Sequence, residues 1–475
     1  MLTALFATLA TPMAAHASPS PQSIETFTVQ QWHPGAPTFP NPNADFSTIS
    51  EALDPATNPN LSTGDTIHVL ESWYSYEVSA GLTPILPGYD HLRTVYSENI
   101  TFPSFDISII AAPVYPNEGK VIEISAAAQG STVTIATPQN GRSTILDGFT
   151  ITNGVGSEDP WLGDATTLTG GGIQCLGSRP TIRNCIVSQN TATLGGGLYA
   201  SIGGQAGNPP SGSYTDGPLV IDCEFKMNSV STQASSGLYS PAGGGVFALN
   251  CSPELINCTV TRNSSTIEGG GLAFHNSDFN GEPPSLTKPV VDGCDIRYNT
   301  AGSAGGGFSM TSHTNPQIRN SQIVGNKARS QGASPAGKGG GLYWIGSKVD
   351  LYSCFIGHNV AAESGGGIAF LLEPSFSDFG LPFGEGSTLT HCTIAGNKTT
   401  NEGSFTYGGG FWGFFSQDFP YPDTVFENCL IVQNESANGA AGYLEATQAQ
   451  FRHCTIAENT ATHPAGSTGV GGLMI

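Results

Sequence analysis

The sequence predicts an all-β protein, a right-handed parallel β-helix wound as a solenoid of about 25-residue coils. Three strands to the coil and a short N-terminal capping helix complete the expectation. Two repeated motifs and their spacing carry it. One is a Gly-Gly-Gly turn followed by an apolar residue; the other is a strand reading Cys-x-[Ile/Val/Phe]-x-x-Asn.

The second motif aligns on Cys185, Cys223, Cys258, Cys294, Cys354, Cys392, Cys429 and Cys454, with Ser321 at the one gap. Two residues after each anchor stands Val, Phe or Ile (Val187, Phe225 and Val260 first), and five after it stands Asn, from Asn190 to Asn459. Three residues before it stands another apolar residue, from Ile182 to Phe451. The step of two puts Cys and Ile on one face of a strand. The step of three breaks that parity, so the chain bends there. Asn then ends the strand, where its amide satisfies local backbone groups, adopts the left-handed region, or joins a ladder from coil to coil.

The Gly triplets open at Gly170, Gly195, Gly243, Gly269, Gly305, Gly339, Gly365 and Gly408, with degenerate copies at Gly439 and Gly471. The shortest spacing, Gly170 to Gly195, is 25 residues. A helical repeat is longer and does not tolerate three consecutive Gly. A propeller blade is longer too and needs hairpin signals. Crossovers between parallel strands are right-handed in about 98% of cases, which sets the hand. Longer repeats carry insertions at two corners only. One set follows the Gly strand (201–217, 276–288, 373–387, 414–424), and the other follows the Asn (229–242, 327–338, 398–407, 460–468).

Composition agrees with this arrangement and excludes several functions. The chain has 62 Gly among 475 residues but is still 38% apolar, so the Gly is placed rather than scattered. A net charge of −21 argues against nucleic acid and anionic membrane surfaces as partners. No stretch is long and apolar enough for a membrane-spanning segment. Residues 1–17 read as a secretory signal, with an apolar run from Leu2 to Met13 and a small-x-small site at Ala15-His16-Ala17, although the basic start is missing. The expected localisation is secreted or cell surface. Eight of the ten cysteines share one repeat position and are expected to stack inside as small apolar groups rather than to pair; Cys175 and Cys251 fall outside that position.

Residues 18–100 form the expected N-terminal cap and first strands, and 101–475 the repeats. Asp45 to Leu53 reads as a capped amphipathic helix covering the first coil, with strands near 65–69, 106–111, 119–125 and 131–136. Phe149 takes the Cys position in the first coil. The repeat stops at Ile475 part-way round a coil, so the chain is expected either to continue or to fray there.

These motifs resemble the secreted right-handed β-helix proteins of the pectin-lyase-like superfamily, whose usual opening is similar to Asp45-Phe46-Ser47-Thr48-Ile49, Gly64 to Val69 and Glu98-Asn99-Ile100. The pairing of Gly triplet with [Ile/Val/Phe]-x-x-Asn is similar to repeats of chlamydial polymorphic outer-membrane proteins, though without their transporter barrel. The resemblance covers about residues 40–475. It implies the fold and leaves activity open, since the fold hosts lyases, hydrolases, adhesins and stalks.

No catalytic, cofactor or metal residue is assigned from the sequence. The best charged candidate is Asp222 and Glu224 with Lys226, one coil from Arg262 and two from Asp295 and Arg297, able to bracket a sugar or a calcium ion. Its ordinary alternative is a solvated strand face. Aromatic residues in the insertions (Phe376, Phe379, Phe383, Phe414, Phe415, Phe419, Tyr421) either stack on sugars or a partner protein, or pack on each other. His391 and His453 face outward with Asn428 between them, which disfavours zinc. The leading expectation is a noncatalytic exported β-helix for adhesion or carbohydrate binding, its partner a polysaccharide or another surface protein. The alternatives are a polysaccharide lyase or glycoside hydrolase using Asp222, Glu224, Asp295 and Arg297, and a passive stalk.

Overall fold

The computed structural model describes residues 24–30, 44–70, 93–112, 121–126, 130–202, 216–231, 240–276, 287–311, 314–330, 337–372, 386–400, 406–415, 424–445, 449–462 and 469–475. Four parallel sheets run along the stack of coils. In the coil that begins at residue 181, sheet 1 is entered at Thr181–Arg183, sheet 2 at Ile186–Ser188, sheet 3 at Thr191–Ala192 and sheet 4 at Leu198–Ser201. They hold 13, 12, 9 and 12 strands respectively. The coil thus adds a fourth strand, two residues long, to the three expected. Each strand pairs in register with its counterpart one coil on, as Ile182 does with Val220 and Val187 with Phe225. In-register pairing turns a sequence repeat into columns of like residues through the core.

The two motifs meet in that core. Asn326 is fully buried; its Nδ2 donates to Ile296 O at 2.9 Å and to Asn359 Oδ1 at 3.1 Å. Its backbone N–H donates to the same Asn359 Oδ1 at 2.9 Å. The pattern repeats from Asn190 to Asn459, so the expected amide ladder is present. Left-handed geometry, however, falls one residue earlier than expected. The residue preceding each ladder Asn has positive φ, as at Gln189 (59°), Tyr298 (57°) and His358 (55°). The ladder amide needs an inward side chain, so its predecessor absorbs the bend.

The Gly triplet answers to this ladder. Gly305 has φ 62°, which opens the turn. A Cβ on Gly306 would lie 2.4 Å from Gly340 O, and one on Gly307 would lie 2.9 Å from Asn326 Nδ2. The triplet is therefore glycine because the next coil's backbone and amide already occupy that space.

All ten cysteines are free, and nine are buried. In the ladder of eight, Cys294 Sγ lies 3.4 Å from Leu255 O and 3.5 Å from Asp292 O. Ser321 takes the same role with its hydroxyl, donating to Arg319 O at 2.6 Å and accepting from Cys294 N–H at 3.1 Å. Cys175 and Cys251 lie in the same core, beneath sheet 4, and burial pushes the Cys175 thiol up to about 12.

At the N-terminus, helix α1 (Ile49–Leu53) has Thr48 as N-cap in a capping box with Glu51. Glu98 also accepts from the Ile49 and Ser50 N–H groups, at 3.0 and 2.8 Å. Ile49, Ala52 and Leu53 are buried, and α1 packs on Thr26–Val29 and Ile100–Thr101, the cap expected. Strands at Thr66–Val69, Ser108–Ala111, Val121–Ser125 and Val133–Ile135 match those read from sequence. Phe149 is buried in the Cys column.

Candidate functional site: the outer face of sheet 4

The corners between sheets 1 and 2 and between sheets 2 and 3 are two residues long, as at Asn184-Cys185 and Gln189-Asn190. Neither insertion set falls there, and the short corners hold from Ile145–Asp147 onward; nearer the N-terminus residues 70–92 and 112–120 join sheet 1 to sheet 2. Both insertion sets border sheet 4 instead. The first set leaves from the ends of its strands Leu198–Ser201, Leu272–His275, Ile368–Leu372 and Phe411–Phe415, and the second runs into its Gly turns. At least half of each insertion lies outside the described residues, and so do Phe376, Phe379, Phe383, Phe419 and Tyr421. Within the repeats, sheet 4 is therefore the sheet that has both insertion sets rooted along its edges.

Its outward residues form two aromatic clusters with a polar notch between them. In the first cluster Tyr199 stacks on Phe247, centroids 5.8 Å apart and rings 3° from parallel. The antiparallel pair Ser157–Glu158 and Leu168–Thr169 brings Leu162 and Trp161 over these rings. Asp159, 3% exposed, accepts from Tyr199 Oη at 2.7 Å and from Ser201 Oγ at 3.3 Å. Burial raises the pKa of both Asp159 and Tyr199.

The second cluster centres on Trp412. Phe414 is half-buried and lies parallel to Trp412 at 6.1 Å, and half-buried Tyr407 and Tyr443 meet at 4.6 Å. Lys338 Nζ sits 4.1 Å from the Trp412 ring centroid, a cation–π contact. Burial lowers the Lys338 pKa, while Glu363 and Glu445 oppose that shift.

The notch holds Glu268, His275 and Ser309. Ser309 Oγ donates to Glu268 Oε2 at 3.2 Å, and His275 Nε2 stands 3.7 Å from the same oxygen. His275 Nε2 is buried without a hydrogen-bond partner, and the ring meets Phe247 edge-on at 4.9 Å. Ala273 and Ala304, small and fully buried beside them, leave room for the carboxylate. Burial raises the Glu268 pKa against the Ser309 hydrogen bond, and lowers His275 to about 4. Imidazole and carboxyl are thus both biased toward their neutral forms, an acid–base pair in an apolar setting.

The charged candidate read from sequence lies on sheet 2. The register places Glu224 and Asp295 in one column, two coils apart with Thr259 between. Glu224 pairs with Lys226 of its own strand at 2.6 Å, and Asp295 likewise meets Arg297. Asp222 (φ 52°) and Arg262 (φ 55°) occupy corners on opposite edges of the sheet. The group is therefore spread across the sheet and largely paired within strands. His391 and His453 take left-handed corner positions, and His391 meets the Tyr352 ring edge-on at 5.6 Å. Among the described residues no group of three or more His, Cys, Asp or Glu is arranged to hold a metal ion.

Glu268, His275, Lys338, Tyr407, Trp412 and Tyr443 were missed by sequence reasoning, which named only Phe414 of the second cluster. The available signal was parity: the residue before each Gly triplet and the second and fourth after it face outward. Glu268, Lys338 and Tyr407 hold the first of these positions, and Trp412 and His275 hold later ones.

In-register parallel sheets, stacked Asn amides and Gly turns define the class, a right-handed parallel β-helix solenoid. The chain belongs to the family described as right handed beta helix region, which matches residues 140–356 and 245–471. No curated protein and no solved structure matches it, the chlamydial polymorphic outer-membrane proteins included. Among the described residues no helix is long and apolar enough to cross a membrane.

Proposed function

We propose that this is an exported, noncatalytic β-helix that binds glycan along the outer face of sheet 4, serving adhesion or carbohydrate recognition in a secreted or cell-surface setting. The observation that carries the reading is the convergence of both insertion sets on a sheet whose outer face bears clustered rings. Half-buried Tyr407 and Phe414 of one coil and Tyr443 of the next offer ring faces to sugars. The signal-like segment at residues 2–17 supports export.

Affinity electrophoresis against neutral and acidic polysaccharides tests it. Retardation by at least one glycan, reduced by Tyr407→Ala with Tyr443→Ala and without new reducing ends, is the expected result. No retardation by any of them would leave the stalk reading.

Catalysis is the second reading, favoured by the Glu268–His275 pair in the middle of the same face. Turnover lost in Glu268→Gln would establish it there. Turnover lost instead in Asp222→Ala and Asp295→Ala would move the chemistry to sheet 2.

A further inference from the structure

We propose a second ligand site, on the outer face of sheet 1, that takes a single anionic sugar of an otherwise neutral glycan. A shallow depression of about 470 Å³ crosses three successive strands there, Gln317–Arg319, Asp350–Tyr352 and Thr388–Thr390. That volume falls within the range of small-ligand sites, roughly 300–1,000 Å³. Its lining combines one ring, three hydrogen-bonding side chains and two charges: Tyr352, Gln317, Thr388, Thr390, Arg319 and Asp350.

Tyr352 is 49% exposed at the centre, with His391 bracing its ring from the next coil. A large aromatic held open on a flat sheet offers a sugar face a stacking surface. The hydroxyls of Thr388 and Thr390 stand one coil away, within reach of ring hydroxyls.

The charges decide the ligand class. Asp350 is already engaged, accepting from Thr388 Oγ1 at 2.8 Å with Lys348 Nζ at 3.8 Å. Asp292, on the strand before Arg319, accepts from Asn320 Nδ2 at 2.8 Å. Arg319 is exposed, and the one hydrogen-bond partner of its guanidinium among the described residues is Gln317, a neutral amide. A guanidinium has five donors in a fork that matches a carboxylate or sulfate. The site therefore presents an uncommitted cation beside a ring, which fits an anionic sugar. A polyanion fits poorly, because the chain carries −21 overall. An acidic peptide adding as a strand is disfavoured, because all three strands are interior to the thirteen-stranded sheet and offer no free edge.

Titration of the intact protein by NMR or calorimetry, with glucuronic acid, glucose 6-sulfate, glucose and N-acetylglutamate as probes, tests this. At least one anionic sugar should bind about tenfold more tightly than glucose, and Arg319→Gln should remove that margin. The two anionic probes distinguish carboxylate from sulfate. Tyr352→Ala should weaken every sugar, whereas Tyr443→Ala on sheet 4 should leave this site unchanged, separating it from the glycan reading above. Glucose binding as well as the acids, N-acetylglutamate binding as well as the sugars, an unaffected Arg319→Gln variant of native melting temperature, or no binding at all would each overturn the proposal.

Discussion

Sheets 2 and 4 have twelve strands each and share one core, yet their outer faces follow different rules. On sheet 2, charges answer one another within a strand, Glu224 to Lys226 and Asp295 to Arg297, between corners two residues long. On sheet 4, the ionisable groups Glu268, His275 and Lys338 are pushed toward neutrality by burial, and insertions root along both edges. Visible charge is therefore a poor guide in a solenoid. A pair two residues apart on an open strand neutralises itself, whereas a lone ionisable group on a covered face retains a shifted pKa.

The largest expected contrast is in the turns. Gly306→Ala drives a Cβ to 2.4 Å from the Gly340 carbonyl, where only backbone could give way. Gly325→Ala, at a sheet 2 corner, meets the ring of Tyr298 at 2.8 Å, a side chain that can swing aside, although its φ of 65° still opposes a Cβ. Gly306→Ala should cost about 3 kcal/mol or more, and Gly325→Ala about 1 kcal/mol. Equal losses in denaturant unfolding would erase the distinction between the two edges.

Next in size is the pH response of the notch. In the folded state His275 is lowered to about 4 from its ordinary 6.5. The unfolded chain takes up that proton first, so this contribution to stability is complete above pH 6.5 and declines as pH falls toward about 4. The decline is worth about 3 kcal/mol at most. The raised Glu268 acts in the opposite sense, its contribution being lost as pH rises through the folded value. His275→Phe should flatten the acidic limb of a melting-temperature profile; an unchanged limb would mean that the imidazole is not held neutral.

Binding gives a third contrast. If sheet 4 is the glycan face, Tyr443→Ala should weaken retardation by a bound polysaccharide about fivefold, since an aromatic stacking contact is worth about 1 kcal/mol. Glu224→Gln on sheet 2 should leave it unchanged. The reverse outcome would return the site to the charged strands.

Most of the scaffold was legible because the inward residues of sheet 2 and its Asn corner repeat, although the inward column of sheet 4 does not, running Cys175, Ala200, Ala248, Phe274, Met310 and Trp344. Cys294, Ile296 and Asn299 recur from coil to coil since each must fit against its own copy one coil along. The site was not legible, because outward residues are freed from that requirement and carry no period. Glu268 and Lys338 share a column with Leu194, Ala242 and Tyr407, which have nothing in common as residues. The left-handed corners were hidden for a related reason. Only some are Gly, and residues as unlike as Met227, Tyr298 and His358 adopt positive φ because the ladder Asn that follows enforces it.

The smallest contrast lies inside the core, between the Cys and Asn columns. Seven of the eight column cysteines, Cys294 among them, sit against two carbonyls through a weak donor, whereas a ladder Asn such as Asn326 makes two strong links to the coils on either side. Ser321 already shows that a hydroxyl serves in the Cys column. Cys294→Ser should therefore cost less than about 1 kcal/mol, because the hydroxyl inherits acceptors already in place. Asn299→Ala should cost about 1–3 kcal/mol, since it removes the donor to the Val260 carbonyl and the acceptor of the Asn263 backbone N–H together. Chemical denaturation of the two variants side by side measures the gap. If Cys294→Ser proved the more damaging, the column would depend on the sulfur's volume rather than on its contacts with the two carbonyls.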